Sequence, residues 1–127
     1  GIKRLYFDTR KSLPFFKVAS SGTKALYTFF YWNKTAMDVS LMFIDEFDAF
    51  YHYELAETLV ELLEHKPGFQ TILTSHNTNL LSNRIMRPDC YFILTGEKLT
   101  SFANATDREL REGHNLEKLY MSGEFNG

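Results

Sequence analysis

Only one cysteine occurs among the 127 residues, and that scarcity closes off a class of protein. Cys90 has no partner for an internal disulfide, so a reducing, cytoplasmic compartment is expected rather than a secreted, disulfide-stapled scaffold. Long apolar runs are missing too: Thr, Asn, Asp or Lys interrupts each within a few residues, and the first residues show no charged-then-apolar leader. Neither a membrane span nor a signal peptide is expected, and no membrane partner. Excess positive charge is also lacking, since a net charge of −2 argues against a nucleic-acid binder driven by bulk electrostatics. No repeat, low-complexity stretch or linker divides residues 1–127, and a hydrophobic content of 44% is enough for one domain's core.

What charge there is lies unevenly. Residues 1–34 carry Lys3, Arg4, Arg10, Lys11, Lys17, Lys24 and Lys34 against Asp8 alone, so the rest of the chain is strongly acidic. Two readings stand: solvated charge on exposed hairpin strands, or a basic edge facing phosphates. The stretch that organises the chain follows, Ser40-Leu41-Met42-Phe43-Ile44-Asp45-Glu46-Phe47-Asp48. A short apolar run of this kind predicts a strand buried on both faces, and carboxylates at its end are costly to bury unless a cation or a reaction uses them.

On either side the pattern is that of an α/β protein. Residues 3–8 and 13–19 are aromatic and β-branched around a polar turn, which predicts two short antiparallel strands. Ser20-Ser21-Gly22-Thr23 offers N-cap hydroxyls and a glycine before an apolar run, predicting a helix from about Thr23 to Thr35 that is buried on several sides. Such a helix N-terminus suits a phosphate oxygen, although capping alone also explains it. Leu55, Leu59, Leu62 and Leu63 recur at helical spacing opposite Glu54, Glu57, Glu61 and Glu64, with Lys66-Pro67-Gly68 to close the helix. Gln70–Thr74 then reads as a strand ending in Ser75-His76-Asn77. Strand, helix and strand make a βαβ unit with parallel strands, and Asp45, Glu46 and His76 fall at the carboxyl ends where such sheets bind ligands.

Further on, a short helix is expected over Asn77 to Leu81, and a hairpin joins 90–94 to 98–102 through Thr95-Gly96-Glu97. Thr106-Asp107-Arg108-Glu109 has capping-box form for a brief helix ended by Gly113, and Asn115 caps a last one with Leu116, Leu119 and Tyr120 inside.

Taken in order, Ser20–Thr23, Asp45-Glu46 and Ser75-His76 resemble the C-terminal half of an ABC-class ATPase head, of the soluble kind found in SMC-like, recombination-type and OLD-like phage-defence ATPases. The resemblance spans roughly Val18 to His76, and the ending from Arg108 to Phe125 is similar to the close of bacterial AAA-type ATPases linked with abortive infection. It implies part of a P-loop NTPase domain with parallel strands flanked by helices, plus β-hairpins. Ser20 and Gly22 match the signature motif, which contacts the γ-phosphate of ATP held by a second subunit. Asp45 matches the Walker B aspartate that holds Mg²⁺, Glu46 the catalytic glutamate and His76 the switch histidine. The implied partners are ATP, a second copy joined through the nucleotide, the protein's own N-terminal half with its Walker A lobe, and an effector protein or DNA.

The sequence departs from that family in three places. The signature reads Ala19-Ser20-Ser21-Gly22-Thr23 rather than Leu-Ser-Gly-Gly-Gln, and His52 holds the position of the D-loop aspartate. None of the seven glycines precedes a lysine, so no G-x-x-x-x-G-K-[ST] loop occurs. The expectation is therefore a piece of a longer ATPase whose phosphate-binding loop lies upstream, inactive by itself. Two other readings remain open: a metal-dependent phosphodiesterase using Asp45, Glu46, Asp48 and His76, and a non-catalytic interaction domain.

Overall fold

The computed structural model describes residues 3–9, 11–66, 68–107, 110, 115–123 and 125. They fall into two compact units, Gly1–Met42 with Gly68–Gln70, and Phe43–Pro67 with Thr71–Gly127.

In the first unit, β1 (Tyr6–Phe7) pairs antiparallel with β2 (Leu13–Pro14), placing Tyr6 opposite Pro14 and Phe7 opposite Leu13. The strands are far shorter than expected. Residues 15–18, expected as strand, form the single helical turn α1 (Phe15–Val18), closed by Ala19 N–H donating to Phe15 O at 2.8 Å. Pro14 explains the switch, because it has no N–H for a ladder and its fixed φ of −60° suits the entry to a helix. The turn also gathers rings. Phe15 lies 5.2 Å from Phe7 and 5.4 Å from Tyr27, and Phe16 lies 5.6 Å from Tyr27, centroid to centroid. Such tilted and edge-on contacts add to the area they bury.

Tyr27 belongs to α2 (Ser21–Thr35), which starts two residues earlier than expected. Ser20 caps it, its Oγ accepting from Thr23 N–H at 3.1 Å. The expectation of burial on several sides is corrected: no residue of α2 is buried, and Phe30 and Trp32 are each 56% exposed. The rings that reach α2 meet it at Tyr27, which leaves Phe30, Tyr31 and Trp32 to solvent.

β3 (Leu41–Ile44) pairs with β4 (Gln70–Leu73). Gln70 N–H donates to Ser40 O at 3.0 Å and Thr74 N–H to Ile44 O at 3.1 Å. The separation between donor and acceptor is the same at both ends, as in a parallel pair. Expected burial of β3 on both faces is not found: its residues alternate exposed and half-buried, with Phe43 59% exposed, since among the described residues β4 is its one neighbour in the sheet.

In the second unit, α3 (Tyr53–Glu64) lies between β3 and β4 in sequence and buries Ala56, Leu59, Val60 and Leu63. The buried stripe is shifted from the leucine repeat, for Leu55 is half-buried and Leu62 is 51% exposed. Small and branched Ala56 and Val60 take the inner face at the same helical spacing. The expected closing residue Pro67 lies outside the described residues, while Gly68 adopts φ 111°, a conformation glycine takes without a side-chain clash.

One core cluster of this unit is Tyr91, Phe102, Leu116 and Phe125. The short helix expected after His76 is a 3₁₀ turn at Thr78–Leu80, with Asn77 Oδ1 accepting from Asn79 N–H. β5 (Phe92–Leu94) and β6 (Leu99–Ser101) form the expected hairpin, whose tip is closed by Thr95 N–H donating to Lys98 O. α4 (Phe102–Ala105) follows directly, capped by Ser101, and sends Phe102 into the core. The capping box over 106–109 and the stop at Gly113 fall largely outside the described residues. α5 (Leu116–Met121) is capped by Asn115 as expected, its Oδ1 accepting from Lys118 N–H at 2.8 Å.

Candidate functional site

Asp45 and Glu46 follow directly on the end of β3, and Thr74, Ser75 and His76 on the end of β4. Parallel pairing brings the two ends side by side, so residues far apart in sequence share one small surface. Glu46 Oε1 stands 3.5 Å from His76 Nε2, an ion pair when the imidazole is protonated. Both side chains are solvated, His76 at 92% and Glu46 at 60% exposure, so the contact adds little stability and leaves both groups open to a ligand. Asp45 and Glu46 are both exposed, so the cost that burying carboxylates would impose does not arise.

Glu46 adopts φ 46°, left-handed for a residue with a side chain, at a cost of about 1–2 kcal/mol. Two hydrogen bonds offset it. Glu46 N–H donates to Thr74 Oγ1 at 2.7 Å, and Phe47 N–H to Thr74 O at 3.2 Å. Thr74 Oγ1 in turn donates to Asp45 Oδ1, and Ser75 Oγ donates to Asp48 Oδ2 at 2.8 Å. Asn77 N–H donates to Ser75 Oγ, which fixes the hydroxyl beside Asp48. Phe47, the buried member of the turn, anchors it below.

Asp45, Glu46 and His76 are thus brought together. Ser20 and Gly22 belong to the first unit, where Ser20 Oγ lies 2.9 Å from Thr23 Oγ1 while capping α2, and Gly22 occupies its first turn. Within that first turn Thr23 N–H is taken by the Ser20 hydroxyl and Lys24 N–H by Ser20 O. His52 sits at the N-cap of α3, where its carbonyl accepts from Leu55 and Ala56 and its side chain makes no cap bond. Among the described residues no three of His, Cys, Asp and Glu are placed to hold one ion. Four-group metal chemistry through Asp45, Glu46, Asp48 and His76 is therefore poorly matched, as Asp48 is tied to Ser75 instead. A single Mg²⁺ asks less: it keeps waters and takes one or two carboxylates beside substrate phosphates, which the exposed Asp45 fits.

Residues 2–82 match the family model described as an AAA domain, putative AbiEii toxin, type IV TA system. The chain belongs to that family. This AAA domain is thereby of the nucleotide-binding, ATPase type, and the matched span contains Ser20, Gly22, Asp45, Glu46 and His76. It stops before 108–125, the ending that resembled abortive-infection ATPases. No curated protein and no solved structure matches the chain. No helix among the described residues is long and apolar enough to cross a membrane.

Sequence reasoning passed over Thr74 and gave Ser75 no role of its own. The available signal was position: hydroxyls ending the strand parallel to an acid-bearing strand lie level with those acids.

Proposed function

We propose that this AAA domain supplies the water-activating and metal-holding side of an ATP-hydrolysing site that works as an ATP-sandwiched dimer. The observation that carries the reading is the Glu46–His76 contact of 3.5 Å across the ends of parallel β3 and β4. Glu46 accepts the proton of the attacking water, and His76 donates a hydrogen bond to the γ-phosphate. Asp45 would hold Mg²⁺, directly or through water, and the ion's chemistry there is to neutralise charge on the phosphates. Ser20 and Gly22, at the start of α2, face the γ-phosphate held by a second subunit, a match to the signature motif that helix-terminus electrostatics supports.

The phosphate-binding loop comes, in this reading, from an N-terminal lobe of the same ATPase. The exposed apolar residues of β3, Leu41 and Phe43, support it, because parallel strands are ordinarily covered on both faces. Coupling of hydrolysis to phage defence or DNA maintenance, through an effector protein or DNA, is part of the same proposal.

The test is Glu46→Gln in the ATPase that joins this chain to a phosphate-binding loop. Glutamine keeps the size and hydrogen bonding but takes up no proton, so hydrolysis should fall by roughly 10²–10⁴-fold while ATP binding survives. Normal hydrolysis by that variant removes the reading.

A further inference from the structure

Thr74 holds the acidic turn with all of its polar groups. Its N–H donates to Ile44 O at 3.1 Å and its carbonyl accepts from Phe47 N–H at 3.2 Å. Its Oγ1 accepts from Glu46 N–H at 2.7 Å and donates to Asp45 Oδ1. The first two bonds are available to any residue at this position. The last two need a hydroxyl, which has one proton to give and lone pairs to receive. Because that one proton goes to Asp45, the oxygen is left to accept from Glu46, and a single side chain fixes both carboxylate-bearing residues.

We infer that Thr74 is a positioning residue for this site: its hydroxyl sets the rotation of the Asp45 carboxylate and keeps Glu46 in its left-handed conformation, so that the Glu46 side chain meets His76. The inference rests on the roles proposed above for Asp45 and Glu46. Two physical points support it. The terminal torsion of an aspartate is broad, so an Asp45 without its donor samples many orientations. A left-handed glutamate without its amide partner gains by returning to negative φ, and that swings its side chain away from His76.

Thr74→Val, which keeps the branched shape and the strand bonds but removes the hydroxyl, and Thr74→Ser, which keeps the hydroxyl, provide the test beside Glu46→Gln. In the ATPase that carries this chain, Thr74→Val should lower kcat by about 10–100-fold, with little change in KM for ATP and a higher Mg²⁺ requirement, as for other residues that orient metal-holding groups. Thr74→Ser should restore most of the rate. Amide exchange supplies the readout independent of turnover: Glu46 N–H should exchange about 10-fold faster in Thr74→Val and recover in Thr74→Ser, the scale of one net hydrogen bond. Phe47 and Thr74 amides, bonded to main-chain carbonyls, should hold their rates. A Thr74→Val protein that turns over normally while Glu46→Gln is inactive overturns the inference and spares the ATPase reading. Loss of protection at Phe47 and Thr74 together with Glu46 also overturns it, since the residue is then holding the strand pair rather than aiming carboxylates. Normal hydrolysis by Glu46→Gln instead removes the ATPase reading, and amide exchange alone then decides whether the hydroxyl sets the turn.

Discussion

Thr78 Oγ1 donates to Glu117 Oε1 at 2.8 Å, joining the turn just beyond His76 to helix α5, whose Leu116 is fully buried. Both partners are half-buried, and the acceptor is charged, so the bond is of the stronger kind. Thr78→Val should destabilise the protein by about 1–3 kcal/mol, because it leaves a shielded carboxylate without its donor. Thr78→Ser should stay within a few tenths of wild type on the same scale of estimate, roughly 0.5 kcal/mol. Urea midpoints of the three proteins measure this, and equal midpoints for Val and wild type count against the anchor.

Helix α3 permits a sharper test of which face is inward. Leu59 is buried whereas Leu62 is about half exposed, although both belong to the leucine repeat. Leu59→Ala should cost about 2–5 kcal/mol and Leu62→Ala under about 1 kcal/mol. Comparable losses at both positions contradict the observed register.

That difference shows what the sequence carried and what it did not. Helical spacing located α3, and apolar runs ending in acids or Ser-His located β3, β4 and the Glu46–His76 site, because those signals are local and periodic. The inward face of α3 was less legible: Ala56 and Val60 are weakly hydrophobic by size yet sit inside, and which stripe turns inward depends on neighbours distant in sequence. Residues 15–18 misled for the same reason. Phe15 and Phe16 have strand propensity, but contact with Phe7 and Tyr27 and the entry through Pro14 favour a helical turn. Thr74 was the least legible, since only its place at the end of the parallel strand, and nothing in its own residue type, marks the carboxylate beside it in space.

Alkaline pH should expose the role of Tyr91. Its phenol is buried, its O–H lies 2.6 Å from Leu80 O, and burial raises its pKa above the usual tyrosine value. Above about pH 10 the unfolded chain ionises this group while the folded chain keeps the proton. The folded state then binds more protons, so the stability contributed by neutral Tyr91 is full below that pH and is lost as pH rises through the folded pKa. Tyr91→Phe, less stable near neutrality, should lose less between pH 9 and 11, roughly the span around the ordinary tyrosine value. Parallel decline of the two proteins in denaturant titrations would show that another group governs the alkaline limit.

These 127 residues by themselves should neither bind ATP tightly nor hydrolyse it. A triphosphate needs backbone N–H groups and a lysine around its charge, and no glycine here precedes a lysine. In the proposed site Asp45 would hold Mg²⁺ only when phosphates complete the ion's shell. Calorimetry with Mg-ATP should give no saturable heat at micromolar concentrations, and a micromolar dissociation constant would mean that a different cradle exists in the chain.

Assembly and hydrolysis should separate genetically in the complete ATPase. Glu46→Gln halts turnover after ATP has bound, so ATP-bound dimers should accumulate and elute early in size-exclusion chromatography. Gly22 lies in the first turn of α2, next to the Ser20 cap, where the positive end of the helix dipole favours an anion. Adding Gly22→Asp to Glu46→Gln places a negative charge and a new side chain where, in the proposed dimer, the partner's γ-phosphate would approach. At about 4 Å and surface screening, two like unit charges repel by a few kcal/mol, roughly the scale that turns a stable dimer into monomers. The double variant should therefore elute as monomer with ATP present, while its Mg-ATP affinity through its own phosphate-binding loop is retained. Dimers of the double variant as abundant as those of Glu46→Gln would show that α2 does not face the nucleotide, and the trans contact assigned to Ser20 and Gly22 would have to be given up.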